Sequence, residues 1–342
     1  MSSKPTGGHR MDGRFDPRRD LPGVRDAPGS PSPPTHFGSQ VIMPEQPLPI
    51  RTIDSSAGPV VVLTLEQGDR PVVVIDESLL RRLDEALGRL PKDMAGFILE
   101  SAAPRAFVAG ADLKAIMAMD DPSLHRYLEF GASVFQRIAD LPCPTAAAIH
   151  GATLGGGLEL AMHCDGLIGL VDKDAKPYPI GLPEAGLKIC PGWGGTNLLP
   201  ARIDARTAIV ATATGVPFNA HTADELGMFD ATCSNRDDLI QTAADWIGAQ
   251  RGHTDLGTPM HWVGADQHLP DAQRGLEKAR AELAETPEGD AVLGCVAVGL
   301  SQGWTAALQM ERNELVRLRH TQPAREAIES FFARSAKPAA KN

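Results

Sequence analysis

The sequence predicts an α/β protein with a largely parallel sheet and a helical C-terminal part. Short apolar runs separated by helix-period segments recur between residues 60 and 149. Each run leads into a loop and then a helix, which is the pattern of parallel pairing. Beyond about residue 235 the helical pattern continues alone.

The first element begins after a tail. Residues 1–50 hold ten of the 28 prolines, with Gly, Ser, Arg and Asp between them and no apolar period, so they are expected to be disordered. Val60 to Leu65 reads as a strand and Pro71 to Ile75 as a second apolar segment. Asp76 is then placed to cap a helix with Leu79, Leu80, Leu83, Leu87 and Leu90 on one face. Ala95 to Leu99 and Thr145 to Ile149 are the next buried strands, the latter running into a glycine-rich stretch at 151–157. Near the end of the chain, Trp304, Leu308, Leu315 and Leu318 share one helical face. The chain therefore divides into a Pro-rich tail (1–50), a β/α core carrying the candidate chemistry (51–235) and a helical subdomain (236–342).

Composition narrows the function. An apolar fraction of 42% and a charged fraction of 22% are those of a soluble globular protein. A formal charge of −10 argues against nucleic acid or an anionic membrane as the main partner. No apolar run has the length of a membrane span, and the N-terminus resembles neither a signal peptide nor a mitochondrial presequence, so a cytoplasmic protein is expected. Five widely spaced cysteines, with no Cys/His ligand spacing, predict reduced thiols and no metal. His150, His163 and these cysteines read as structural.

Three segments could carry chemistry. In Ala106 to Lys114, a strand end runs into small residues and then Asp112, which can cap a helix starting near Leu113. Small residues let a ligand approach the main chain, and N–H groups near a helix start are free to donate. Taken alone, the segment is equally an ordinary tight turn. In Ile149 to Met162, Gly155, Gly156 and Gly157 open a helix, a costly start that is explained either by unpaired N–H groups that must face negative charge or by close helix packing. Glu159 lies on that otherwise apolar helix and either faces solvent or works in a site. No Walker or Rossmann glycine fingerprint is present. In the third segment Pro183 suits the first position of a helix and Glu184 its N-terminal field. Pro191-Gly192-Trp193-Gly194-Gly195-Thr196 follows, readable as a loop or a helix start.

Their order makes a set suited to thioester chemistry: two groups of backbone donors for a carbonyl oxygen, and two carboxylates to move protons and orient water. With these motifs the chain resembles the crotonase, or enoyl-CoA hydratase/isomerase, superfamily over roughly residues 51–335. Within it, the chain is most similar to the hydratase module of multifunctional fatty-acid-oxidation α subunits, with no dehydrogenase module expected to follow. The resemblance implies a crotonase-type ββα spiral core with a helical C-terminal subdomain. It implies an oxyanion hole at the N–H groups of Ala111 and Gly156, with Glu159 and Glu184 as the acid/base pair. CoA would lie along the loop containing Ala109, with Arg105 and Lys114 as phosphate partners, although both basic residues also read as solvated surface.

The expected reaction is hydration of a trans-2-enoyl-CoA to a 3-hydroxyacyl-CoA, with no cofactor beyond the CoA of the substrate. The expected assembly is a homotrimer or a dimer of trimers joined through the last helices. Other readings are a Δ3,Δ2-enoyl-CoA isomerase, a hydrolase or C–C bond-cleaving relative, and a non-catalytic acyl-CoA-binding module. The span from Asp165 to Glu184 is about five residues longer than the family pattern, with Val171 to Tyr178 as the insertion, expected either to reshape the acyl pocket or to lie at the surface.

Overall fold

The computed structural model describes residues 46–68, 70–250 and 257–335. Most of the predicted tail (residues 1–45) and the last residues of the predicted helical part therefore lie outside the described residues. Ordered chain is already present at 46–49: Leu48 is buried, the Pro49 carbonyl accepts from Thr64 N, and Arg82 donates to the Gln46 carbonyl.

Among the described residues, ten strands form two sheets. The larger contains β1 (Ile50–Ser55), β2 (Gly58–Leu65), β3 (Gly96–Ser101), β5 (Thr145–Ile149), β7 (Gly166–Leu170) and β10 (Ala231–Cys233), in that spatial order. Only β1 runs antiparallel to its neighbour; β2 through β10 are parallel. The smaller sheet orders β4 (Ala106–Val108), β6 (Ala152–Leu154), β8 (Pro179–Gly181) and β9 (Phe218–Asn219), with β9 antiparallel at its edge. Successive turns of chain thus supply a strand to the large sheet and then one to the small sheet, which is the spiral arrangement expected. Pro71 to Ile75 makes no regular strand. Its single parallel bridge joins Ile75 to Ala111, with Val73 and Ile75 buried beneath.

The helices follow the predicted caps. Asp76 Oδ1 accepts from Leu79 N at 2.8 Å and starts α1 (Glu77–Leu87), whose Leu79, Leu80, Leu83 and Leu87 are all buried. Asp112 Oδ1 takes the N–H groups of Lys114 and Ala115 and starts α2 (Leu113–Ala118). Then come α3 (Asp121–Ala139), α4 (Gly156–Met162), α5 (Gly195–Leu198), α6 (Ala205–Thr214) and α7 (Ala220–Glu225). Pro183 departs from its expected place: it precedes a single 3-10 turn, Glu184–Leu187, which Lys188 ends at φ +63°. Hence Glu184 sits on a tight turn and not in the field of a full helix.

From Leu239 onward the ordered elements are α8 (Leu239–Ala249), α9 (Leu269–Glu282), α10 (Pro287–Gln302), α11 (Trp304–Arg319) and α12 (Gln322–Ser335). Trp304, Leu308, Leu315 and Leu318 of α11 are buried, as their spacing predicts. Arg319, also buried, donates to the carbonyls of Ile116 and Met119 and pairs with Asp121. This ties α11 to α2 and α3. Among the described residues no helix is long and apolar enough to cross a membrane.

Candidate active site

The first donor segment is braced from below. Ile75 N donates to Gly110 O at 2.8 Å and Asp112 N to Ile75 O at 2.9 Å, while Ala109 N reaches Val73 O. The bridge therefore uses the groups on either side of Ala111 and leaves the Ala111 N–H outside the ladder. Tyr127 Oη fixes the same point by donating to Ile75 O at 2.9 Å.

Each of the three glycines before Glu159 has its own steric reason. Gly155 adopts φ +52°, and a Cβ there would lie 2.5 Å from Glu184 Oε1. A Cβ on Gly157 would lie 2.3 Å from Val108 O, so the start of α4 can press against β4 only with glycine there. At Gly156 the obstacle is Trp193 Cζ3, again 2.5 Å away. Gly156 is also the first residue of α4, so its N–H has no partner within the helix, while Gly155 O accepts from Leu158 and Glu159. Close packing and a free N–H, which the sequence presents as alternatives, coexist here.

Glu159 does not face solvent. Only 1% of it is exposed, and its Oε1 accepts from Trp193 N at 2.7 Å and Gly195 N at 2.8 Å. Burial pushes its carboxyl well above the usual range; the nearby Glu311 and Glu184 charges push the same way, and the two N–H bonds oppose them. Glu184 contrasts with it. Its Oε2 is buried without a hydrogen-bond partner among the described residues, and burial, with the Glu311 charge adding, raises its pKa to about 8.

The sequence reading missed a third carboxylate. Glu311 of α11 is fully buried; its Oε2 accepts from Gly194 N at 2.5 Å, and its Oε1 accepts from Thr196 N at 2.9 Å and from Thr196 Oγ1. Burial lifts its pKa to about 6 against the pull of these donors. Nothing in the local pattern marks it, because Met310-Glu311-Arg312 reads as part of a charged helix surface.

Glu159, Glu184, Ala109, Ala111 and Gly156 line one cavity of about 330 Å³. Its other walls are mainly apolar, including Leu113, Ile116, Leu128, Ile189, Leu315 and Phe331. Trp193 is a rigid part of the wall: its Nε1 donates to Leu128 O at 2.9 Å, and its ring stacks edge-on against Tyr127. Arg105 and Lys114 are exposed and do not line the cavity; the Lys114 ammonium lies 5.4 Å from the Phe332 ring centroid, next to cavity-lining Phe331. The 171–178 insertion does not reach this cavity. Several of its residues border a separate surface hollow with His221 and Arg236.

His163 is buried with Nδ1 against Glu159 O, and burial lowers its pKa to about 4. His150 Nε2 is bonded to Ala103 O. The five cysteines are unpaired by disulfides, and no group of three or more His, Cys, Asp or Glu among the described residues is arranged to hold a metal.

A family profile described as enoyl-CoA hydratase/isomerase matches residues 57–253, which include both donor segments and both glutamates. The chain belongs to the enoyl-CoA hydratase/isomerase family. Its curated relatives in this family include the fatty acid oxidation complex subunit alpha of Aliivibrio fischeri, 33% identical over 281 residues, covering 79% of this chain and 40% of the relative. The subunit of the same name from Vibrio cholerae serotype O1 (El Tor) is 32% identical over 277 residues, covering 75% of this chain and 36% of the relative. The chain thus spans about two fifths of the length of these relatives. Among solved members of the fold, human mitochondrial delta3-delta2-enoyl-CoA isomerase superimposes with a TM-score of 0.59 at 23% identity, over 85% of this chain and 98% of that one. An enoyl-CoA hydratase from Rhodobacter sphaeroides 2.4.1 gives 0.58 at 22% identity, over 86% and 92%. Both likenesses support the crotonase fold with its C-terminal helical region.

Proposed function

We propose that the protein is an enoyl-CoA hydratase, adding water to a trans-2-enoyl-CoA to give a 3-hydroxyacyl-CoA. The observation that carries this reading is the pair of unlike carboxyls in one apolar cavity, Glu159 held by two backbone N–H groups and Glu184 with an oxygen that has none. A hydratase needs a base for water and an acid for C2 at the same time, whereas moving a double bond needs only one proton shuttle.

In this scheme the thioester oxygen lies between the N–H groups of Ala111 and Gly156, an oxyanion hole strengthened by the N-terminal end of α4. Glu159, whose two N–H donors stabilise the anion against the burial that raises its pKa, takes a proton from water as the oxygen bonds to C3. Glu184, protonated at neutral pH, gives its proton to C2 as the enolate collapses, and the thioester carbonyl re-forms. Burial of three carboxyls together supports one member of the pair being protonated while the other is ionised, since like charges so placed do not all ionise at once. The apolar walls accommodate the acyl chain. Ala109 would border the pantetheine, and Arg105 and Lys114 would meet the phosphates of CoA outside the cavity. The scheme uses no cofactor beyond the substrate's own CoA, and a homotrimer or dimer of trimers, readable by sedimentation, is the expected assembly.

The proposal is tested by kcat/KM for 2-enoyl-CoAs and matched 3-enoyl-CoAs across pH. Hydration is expected to dominate and to decline as pH rises through about 8, because Glu184 then loses the proton it must give. Turnover of 3-enoyl-CoA with no hydration would replace this reading by an isomerase.

A further inference from the structure

The four residues Trp193 to Thr196 are threaded between two carboxylates from distant parts of the chain. Their N–H groups alternate: those of Trp193 and Gly195 go to Glu159, and those of Gly194 and Thr196 go to Glu311. The Thr196 hydroxyl adds a third bond to Glu311. Gly194 can be only glycine, since its φ is +100° and a Cβ would lie 2.3 Å from Trp304 Cη2. A Cβ on Gly195 would come within 3.0 Å of Glu159 Oε1. The turn therefore has little freedom of its own, and Glu311 does not line the cavity.

We propose that Glu311 is a positioning residue for Glu159: by holding the N–H groups of Gly194 and Thr196, it turns those of Trp193 and Gly195 onto a single Glu159 oxygen and leaves the other oxygen for water. This rests on the hydratase reading above. A buried carboxylate is an expensive way to hold a turn, and a neutral acceptor would avoid the cost. What only the charge supplies is an anion facing three donors on one side and a second carboxylate across the turn on the other. Its field raises the proton affinity of Glu159, which makes Glu159 a stronger base for water. Glu184 is the other carboxylate facing Glu159. Cys190 and Cys295 lie near Glu311, Arg312 is the neighbouring cation on its helix, and His163 is held at the Glu159 carbonyl.

The test is the Glu311→Gln variant, compared with wild type, with Glu159→Gln and with the double variant. Glutamine keeps the shape but loses the charge and cannot accept from all three donors. Loss of hydration in wild type would count against the hydratase reading, independently of this proposal. Given wild-type turnover, Glu311→Gln is expected to lower kcat by about 10- to 100-fold, as misorientation of one group does, with KM held within about threefold. The acidic limb of its pH profile should move to lower pH, because removing a negative charge eases ionisation of Glu159. In the Glu159→Gln background the same change should cost less than about twofold, since the two act as a unit.

Infrared titration of the buried carboxyls reads the Glu159 shift without turnover and should show it moving down in Glu311→Gln. A folded Glu311→Gln with unchanged kcat and limb, or a loss fully additive with Glu159→Gln, would overturn the proposal. Should Glu311→Gln not fold, Thr196→Val keeps the charge and both N–H bonds while removing the hydroxyl bond. A severalfold fall in kcat at constant KM then supports the proposal, and an unchanged kcat contradicts it.

Discussion

Glu184→Gln is expected to lower kcat for hydration by about 10²–10⁴-fold while making the protein more stable at neutral pH. The loss follows from the role: the amide has the shape of the carboxylic acid and no proton to give. The gain follows from the setting. Glu184 Oε2 is buried with no hydrogen-bond partner among the described residues, beside two further carboxyls in the same region. Its folded pKa, about 8, is above its usual 4.5. A carboxyl raised in this way is best tolerated below about pH 4.5, and its contribution is lost as pH rises through about 8. The advantage of glutamine should therefore open from about pH 4.5 and level off above pH 8. It should reach on the order of 1–3 kcal/mol, since the residue is only half-buried as a whole. Thermal melts of the two proteins across that range, run beside steady-state kinetics, check both halves. A variant less stable than wild type at pH 8 would show that Glu184 is not a strained carboxyl.

Gly156→Ala is expected to cost about 10²–10³ in kcat, the effect of losing one donor to an oxyanion, with ground-state acyl-CoA binding changed much less. The added Cβ meets Trp193 Cζ3 at 2.5 Å, Trp193 Cε3 at 2.9 Å and Ile75 Cδ1 at 3.3 Å. Trp193 cannot swing aside: its Nε1 is bonded to Leu128 O, and Gly131 packs so closely that a Cβ there would lie 2.5 Å from Nε1. The backbone at the start of α4 must yield, and the Gly156 N–H moves with it. Trp193→Phe in the same chain makes space and should recover part of the lost kcat. No recovery, with the fold intact by circular dichroism, would place the defect elsewhere.

Much of this site was legible because its parts are local. A strand end, a glycine turn and an Asp cap lie within nine residues at 106–114, and Gly155 to Glu159 within five. The caps at Asp76 and Asp112 and the stripe from Trp304 to Leu318 were readable for the same reason. The small sheet was not, because strands of two or three residues are too short to show an alternation. Pro183 looked like a helix start and instead precedes one 3-10 turn, since a Pro-Glu pair signals a turn of either kind. Glu311 was beyond local reading altogether. Its meaning comes from a turn more than a hundred residues earlier in the chain, and by itself it resembles any charged residue on a helix. Sequence spacing likewise could not say which of Glu159 and Glu184 has donors on its oxygens, the difference on which the proposed division of roles rests.

The most direct measurement is the mass of the product formed from crotonyl-CoA in ¹⁸O-labelled water. The account predicts a 3-hydroxybutyryl-CoA carrying one heavy oxygen at C3, formed by wild type and absent with the Glu159→Gln, Glu184→Gln double variant. An unchanged substrate, a label found in a released carboxylate, or full product from the double variant would contradict it.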